Sequence, residues 1–166
     1  MVDPQPGPSP DEPVLASSPL ANRPGFLVRR LHQIFTAIYL QSCKQFGTTP
    51  VQSSVLQVLL ARPGLDQAGL AAEIGLDRTT TSLVLGRLQA RKLLRREVDR
   101  EDRRSRRAYL TNEGEALIRE MHAAIDEAHG RLMAPLDEME VATFMDLLKR
   151  LVAANNEHGR AALRSI

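Results

Sequence analysis

The sequence predicts a mainly α-helical chain with one small β-hairpin, an α+β fold, and three observations lead there. Apolar residues recur at helical spacing over most of the chain. Aromatic residues make up only 4% and tryptophan is absent, so the core must rest on Leu, Ile, Val, Ala and Met. Residues 99–105 are wholly polar between two short β-favouring runs, which reads as a hairpin with a charged tip.

Residues 1–24 hold seven of the ten prolines, with Ser, Asp and Gly between them, and are expected to form a disordered tail. Beyond it, residues 25–160 read as a single domain. Leu27, Leu31, Ile34, Phe35 and Ile38 share one face of a first helix. Gly47 and Pro50 are expected to end that helix and open a second, which runs through Val55, Leu56 and Leu59 to about Arg62. Pro63-Gly64 breaks the chain. Asp66 is placed to cap a short third helix, Gln67 to Ile74, and Gly75 to make a left-handed turn after it. Asp77 then caps a fourth helix reaching to about Lys92. Leu93 to Val98 and Arg106 to Leu110 form the hairpin strands. Thr111 opens a long fifth helix with Leu117, Ile118, Met121, Ile125, Ala128 and Leu132 on one face. Pro135 interrupts it, and a last helix carries Phe144, Leu147, Leu148, Leu151 and Val152.

The first helix and the last two (segments 25–47 and 111–160) are more apolar than covering one small lobe requires. They are expected to pack together and against a second copy, giving a symmetric homodimer.

Composition excludes several classes of activity. A single Cys43 leaves no disulfide framework or Cys-rich metal site, and the four His follow no zinc spacing. No Gly-rich phosphate loop and no nucleophile with an evident base appear, so no catalytic residue, metal or cofactor is expected. No apolar run reaches about 18 residues and no secretory leader is evident, which gives a cytoplasmic reading without a membrane partner.

Net charge is only +2, but it is unevenly placed. Residues 78–107 contain eleven Arg/Lys against four acids, whereas the rest of the chain is acidic overall. A basic patch gains from counterion release on a polyanion, which evenly mixed charge does not. The patch coincides with a motif. Between Gln67 and Leu88, Ala71 is small where two helices cross, Gly75 sits at the turn, and Leu70, Ile74, Leu76, Val84 and Leu88 close a small core. Thr81 stands where Val or Ile is usual; its methyl still packs and its hydroxyl bonds back to the helix. This is helix-turn-helix spacing, and with the hairpin it makes a winged helix-turn-helix lobe over 48–110. The outer face of the fourth helix then presents Arg78, Thr79, Thr80, Ser82, Leu83 and Arg87. Small hydroxyls allow close approach to base edges, and Arg takes guanine bidentately.

Leu70 to Thr81, Arg87-Leu88, Leu93 to Arg96 and above all Asp99 to Gly114 resemble the MarR family of bacterial regulators. Thr48 to Gln52 is similar to that family's entry into its second helix, and the resemblance spans about residues 26–155. It implies a homodimer on double-stranded operator DNA, with Asp102 bracing the wing through an Arg and Arg103 or Arg104 entering the minor groove. Arginine suits that groove, because a narrow groove concentrates negative potential. The resemblance also implies a small-molecule effector, often aromatic, held between the dimer helices and the DNA-binding lobe. Arg29, Arg30, His32, Phe35, Tyr39 and Phe46 are the candidates for that contact. Phe26 to Ile34 is similar to members that control degradation of hydroxycinnamates and related aromatics. An aromatic acid or an aryl-CoA thioester such as p-coumaroyl-CoA is therefore the expected effector of a repressor. Two alternatives stay open at this point: a redox switch at Cys43, and a winged helix used only for protein–protein contact.

Overall fold

The computed structural model describes residues 18–99, 101–159 and 161–163. Most of the expected proline-rich tail, and Arg100 at the hairpin tip, lie outside the described residues. Over 18–23 the chain makes turns, and Pro24 takes the start of the first helix, where its missing N–H is no loss.

The order of elements is α1 (Pro24–Ser42), α2 (Pro50–Ala61), β1 (Leu65–Asp66), α3 (Gln67–Ile74), α4 (Arg78–Ala90), β2 (Leu94–Val98), β3 (Arg106–Leu110), α5 (Asn112–Met133) and α6 (Glu138–Ala154). Short polar side chains at the helix starts fix these boundaries by accepting otherwise unpaired N–H groups. Asp66 Oδ1 takes the Gly69 amide at 2.7 Å, Asp77 Oδ1 the Thr80 amide at 2.9 Å, and Thr111 Oγ1 the Gly114 amide at 3.1 Å. Thr49 with Gln52 and Asp137 with Glu140 form reciprocal capping boxes on α2 and α6.

Two features differ from the sequence expectation. The first helix ends at Ser42 rather than at Gly47. A 3-10 turn, Lys44–Phe46, follows, and Gly47 reverses the chain at φ 58°. The guanidinium of Arg91 stabilises that turn by donating to the carbonyls of Gly47 and Phe46 at 2.8 and 2.9 Å. The second difference is β1, which sequence reading missed because two residues are too few to show alternation. It pairs antiparallel with β3, Leu65 opposite Ala108, making a three-stranded sheet in the order β1-β3-β2.

The core joins the helix-turn-helix to α5. Leu56 and Leu59 of α2, Leu70 of α3, Leu85 and Leu88 of α4, Leu94 of β2, and Ile118 and Met121 of α5 are all buried. Each such side chain contributes about 1.5–3 kcal/mol relative to full exposure. Tyr39 and Cys43 bring the end of α1 into the same cluster. At Gly114, a Cβ would stand 1.9 Å from the Leu93 carbonyl oxygen, so only glycine lets α5 start so close to the strand entry.

The apolar stripe of α1 is only partly used among the described residues, since Phe35, Ile38 and Tyr39 pack on the core, and that of α6 is mostly unused. Leu27, Ile34 and Leu40 on α1 and Leu147, Leu151 and Val152 on α6 are exposed, and α6 buries no residue. Beyond α6, the Asn156 amide both donates to and accepts from the Leu163 backbone, which sets Leu163 beside Gly75. Among the described residues no helix is long and apolar enough to cross a membrane.

Candidate nucleic-acid interface

The two halves of the basic segment are oriented by different local devices. Gly75, at φ 66°, reverses the chain between α3 and α4, and Asp77 starts α4 by capping Thr80. Thr81 is fully buried, its methyl in the core and its hydroxyl donating to the Asp77 carbonyl at 2.9 Å. Val84, Leu85 and Leu88 complete the buried face. With these four inward, helical geometry turns Thr79, Ser82, Leu83 and Arg87 outward. Arg78, Thr79, Ser82, Leu83 and Arg87 are indeed exposed. Thr80 departs from the expected outer face. It is half-buried, and its hydroxyl donates to Asp77 Oδ2 at 2.7 Å, so it serves the cap first.

The wing is held at its base. Glu97 pairs with Arg107 and Val98 with Arg106 across β2 and β3, and the Asp99 amide donates to the Ser105 carbonyl at 3.0 Å. The Asp99 carboxylate accepts the Arg107 Nε–H at 2.7 Å and the Glu101 amide at 3.0 Å. The Glu101 amide, with the Arg107 guanidinium, holds the Asp99 carboxyl below the usual carboxylate range. Arg107 in turn is pushed above its ordinary value by Asp99.

Asp102 was expected to brace the wing through an arginine side chain. Here its carboxylate accepts the backbone N–H of Arg104 at 2.9 Å, closing the tip turn, and the arginine–carboxylate strut is Asp99–Arg107. The reason is positional: Asp99 and Arg107 flank the tip at the strand ends and face one another, whereas Asp102 sits within the turn. A sequence signal existed, since an acid and an arginine close the polar tip segment from either side. Arg103 and Arg104 are exposed at the tip. An open groove of about 630 Å³ runs between α3, the first turn of α4 and the wing. Arg78, Arg96, Arg104 and Arg106 line it together with Asp77 and Asp102, so one helix candidate, Arg78, and one wing candidate, Arg104, share this groove, while Thr79, Ser82, Leu83, Arg87 and Arg103 lie outside its lining.

The six effector candidates do not converge in the same way. Arg29 lies over the Phe26 ring at 5.4 Å, and Arg30 approaches Gln33 at 3.5 Å; both are exposed, as is His32. Arg29 and Tyr39 are ten residues apart on α1, about 15 Å along its axis. Tyr39 is a core residue, its hydroxyl 3.3 Å from the Thr48 hydroxyl, and burial pushes its pKa up. Phe46 is half-buried against the core, and its carbonyl is taken by Arg91. Phe35 remains a candidate. Its ring is tilted against Tyr39 at 6.2 Å and stacks parallel on His129 of α5 at 5.2 Å. Sequence reading missed His129, because nothing local marks which α5 residue meets α1.

Cys43 is wholly buried, and burial pushes its thiol up rather than down. Lys44, the cation next to it in sequence, is exposed on the adjoining turn. A reactive thiolate needs access and a lowered pKa, so the redox alternative is corrected to a packed core thiol.

Comparison with known proteins follows the same surface. A model of the MarR family matches residues 46–105. A putative transcriptional regulatory protein for the hcr operon of Thauera aromatica is 31% identical over 67% of each chain. Among solved structures, the PcaV transcriptional regulator of Streptomyces coelicolor, in complex with its natural ligand, is 37% identical, with a TM-score of 0.75, covering 84% of this chain and 98% of that one. CouR from Rhodococcus jostii RHA1, bound to p-coumaroyl-CoA, is 26% identical with a TM-score of 0.70, over 81% of this chain and 95% of that one. A transcriptional repressor CouR has also been solved on a 23-mer DNA duplex.

Proposed function

The chain belongs to the MarR family of transcriptional regulators, and from that premise we propose that it is a homodimeric repressor reading operator DNA with α4 and the wing. The observation that carries the reading is the convergence of Arg78, Arg96, Arg104 and Arg106 on one groove beside the exposed face of α4, in an otherwise acidic chain. Arg78, Thr79, Ser82, Leu83 and Arg87 meet base edges and flanking phosphates in the major groove, with Thr80 holding the helix start. Arg103 and Arg104 follow the adjacent minor groove. Unpartnered Leu27, Ile34 and Leu40 of α1 and Leu147, Leu151 and Val152 of α6 form the interface between the two copies. Two recognition helices then address grooves about 34–36 Å apart. The CouR structure on DNA supports this use of the fold.

The effector is an aromatic acid or its CoA thioester, binding beside Phe35 and His129 where α1 meets α5. CouR with p-coumaroyl-CoA supports the ligand class, PcaV in complex with its natural ligand supports the presence of an effector, and the stacked ring pair supports its site. Arg29 and Arg30, exposed near the start of α1, suit the phosphates of a thioester better than a buried carboxylate. Binding releases DNA because the ligand favours a dimer whose helices no longer match the groove spacing.

Titration of DNA from upstream of the gene, at several salt concentrations, tests the first part. With about six to ten phosphate contacts, affinity falls by about 10³–10⁵ between roughly 50 and 200 mM salt. Salt-insensitive or absent binding favours a protein-contact module instead. Calorimetry with hydroxycinnamoyl-CoA thioesters and free aromatic acids tests the second, and no heat with either class refutes it.

A further inference from the structure

Leu83 stands out on α4. It is 58% exposed, and with the buried face formed by Thr81, Val84, Leu85 and Leu88, it projects from the opposite side. Its neighbours one turn away are Thr79 and Arg87, with Ser82 beside it, all exposed and polar. An apolar side chain in the middle of a polar surface gains nothing from the core. A helical side chain leans toward the helix N-terminus, so Leu83 lies over the turn containing Thr79, the end that enters a groove.

A second observation concerns the next turn. Gly86 has no positive φ, and a Cβ built on it would meet nothing within 4 Å. Neither backbone conformation nor packing among the described residues requires glycine there, although glycine in a helix interior costs about 1 kcal/mol relative to alanine. What its absence of side chain does is clear the outer face beside Leu83, letting the helix backbone approach whatever lies opposite.

Among the groups on base edges, only the 5-methyl of thymine is apolar, and it projects into the major groove. We propose that Leu83 is a specificity-determining residue that packs on a thymine methyl in each half-site, with the bare backbone at Gly86 allowing the close approach. The inference rests on α4 being the DNA-reading helix. It assigns Leu83 a different task from its neighbours. Arg78 and Arg87 offer hydrogen bonds to guanine or phosphate, whereas Leu83 distinguishes thymine from cytosine by a methyl group.

The test uses the full-length protein. Duplexes are first selected from a randomised library with the wild-type chain, and each thymine of the selected duplex is then replaced singly by deoxyuridine, which removes only the methyl. At one thymine per half-site, wild-type binding should weaken about fourfold, the equivalent of about one buried CH₂. Leu83→Ala, which exposes no core and keeps helix propensity, should bind the thymine and deoxyuridine duplexes equally. Selection with Leu83→Ala should lose the thymine preference at that position and keep the others. If every deoxyuridine duplex binds wild type as tightly as its thymine parent, or if Leu83→Ala retains the methyl preference, the proposal is overturned while DNA reading stands. If no duplex is enriched by the wild-type chain, the DNA-reading assignment of α4 falls as well.

Discussion

The carboxylate of Asp99 accepts the Nε–H of Arg107 at 2.7 Å across the base of the wing, joining the end of β2 to β3 just before the tip. The Glu101 amide donates to the same carboxylate, and the two donors hold Asp99 below the usual carboxylate range. A group with a depressed folded pKa contributes stability that is present above its unfolded value, about 3.9, and lost as pH falls through the folded value. Asp99→Asn should therefore lower the melting temperature at neutral pH, and the difference from wild type should begin to shrink as pH falls below about 4 and vanish only below the depressed folded value. It should also weaken DNA binding without regard to base sequence, because the wing tip loses its anchor. A melting difference that persists unchanged in acid would mean that the charge of Asp99 is not what matters.

Arg91 connects the end of α4 to the turn after α1 through two carbonyls, those of Gly47 and Phe46. Removing both bonds with Arg91→Ala should cost about 1 kcal/mol, since the side chain is exposed and its donors are rehydrated. For a chain of this size that is about 2–4 °C in melting temperature. Arg91→Lys should recover only part, because an ammonium lacks the planar fork that reaches two acceptors at once. Full recovery by lysine would show that charge at the helix end, rather than the fork, holds the turn.

Two glycines within helices should respond oppositely to alanine. Gly114→Ala puts a Cβ against the Leu93 carbonyl, and should destabilise by about 3 kcal/mol or more. Gly86→Ala meets open space and should stabilise by about 1 kcal/mol through helix propensity. The same substitution should weaken DNA binding if backbone approach at that turn matters. Denaturant titration and DNA binding measured on both variants separate stability from recognition.

Cys43 is fully buried with its pKa raised by burial, so the folded protein should be inert to a thiol-specific disulfide reagent and should react only on unfolding. Peroxide should leave DNA binding unchanged in wild type and in Cys43→Ala alike. Rapid labelling of the native protein, or operator release by oxidant that Cys43→Ala abolishes, would restore the redox reading.

Much of the DNA-reading lobe was legible from local chemistry. Asp66, Asp77 and Thr111 mark helix starts because a short oxygen-bearing side chain reaches only its own helix's first amides, and Gly75 marks the turn because its φ is positive. The charged tip between two short strands identified the wing for the same reason: strand, turn and polarity are all properties of neighbours in sequence. Contacts across the chain were not legible. That Thr80 is spent on the Asp77 cap, that Asp99 rather than Asp102 meets an arginine, and that His129 stacks on Phe35 each depend on register or on which faces of two distant helices meet. The sequence by itself determined the winged helix-turn-helix and its basic surface. Tertiary structure alone decided which of its polar residues are left free to act, because a side chain's availability depends on the partner that packing brings to it.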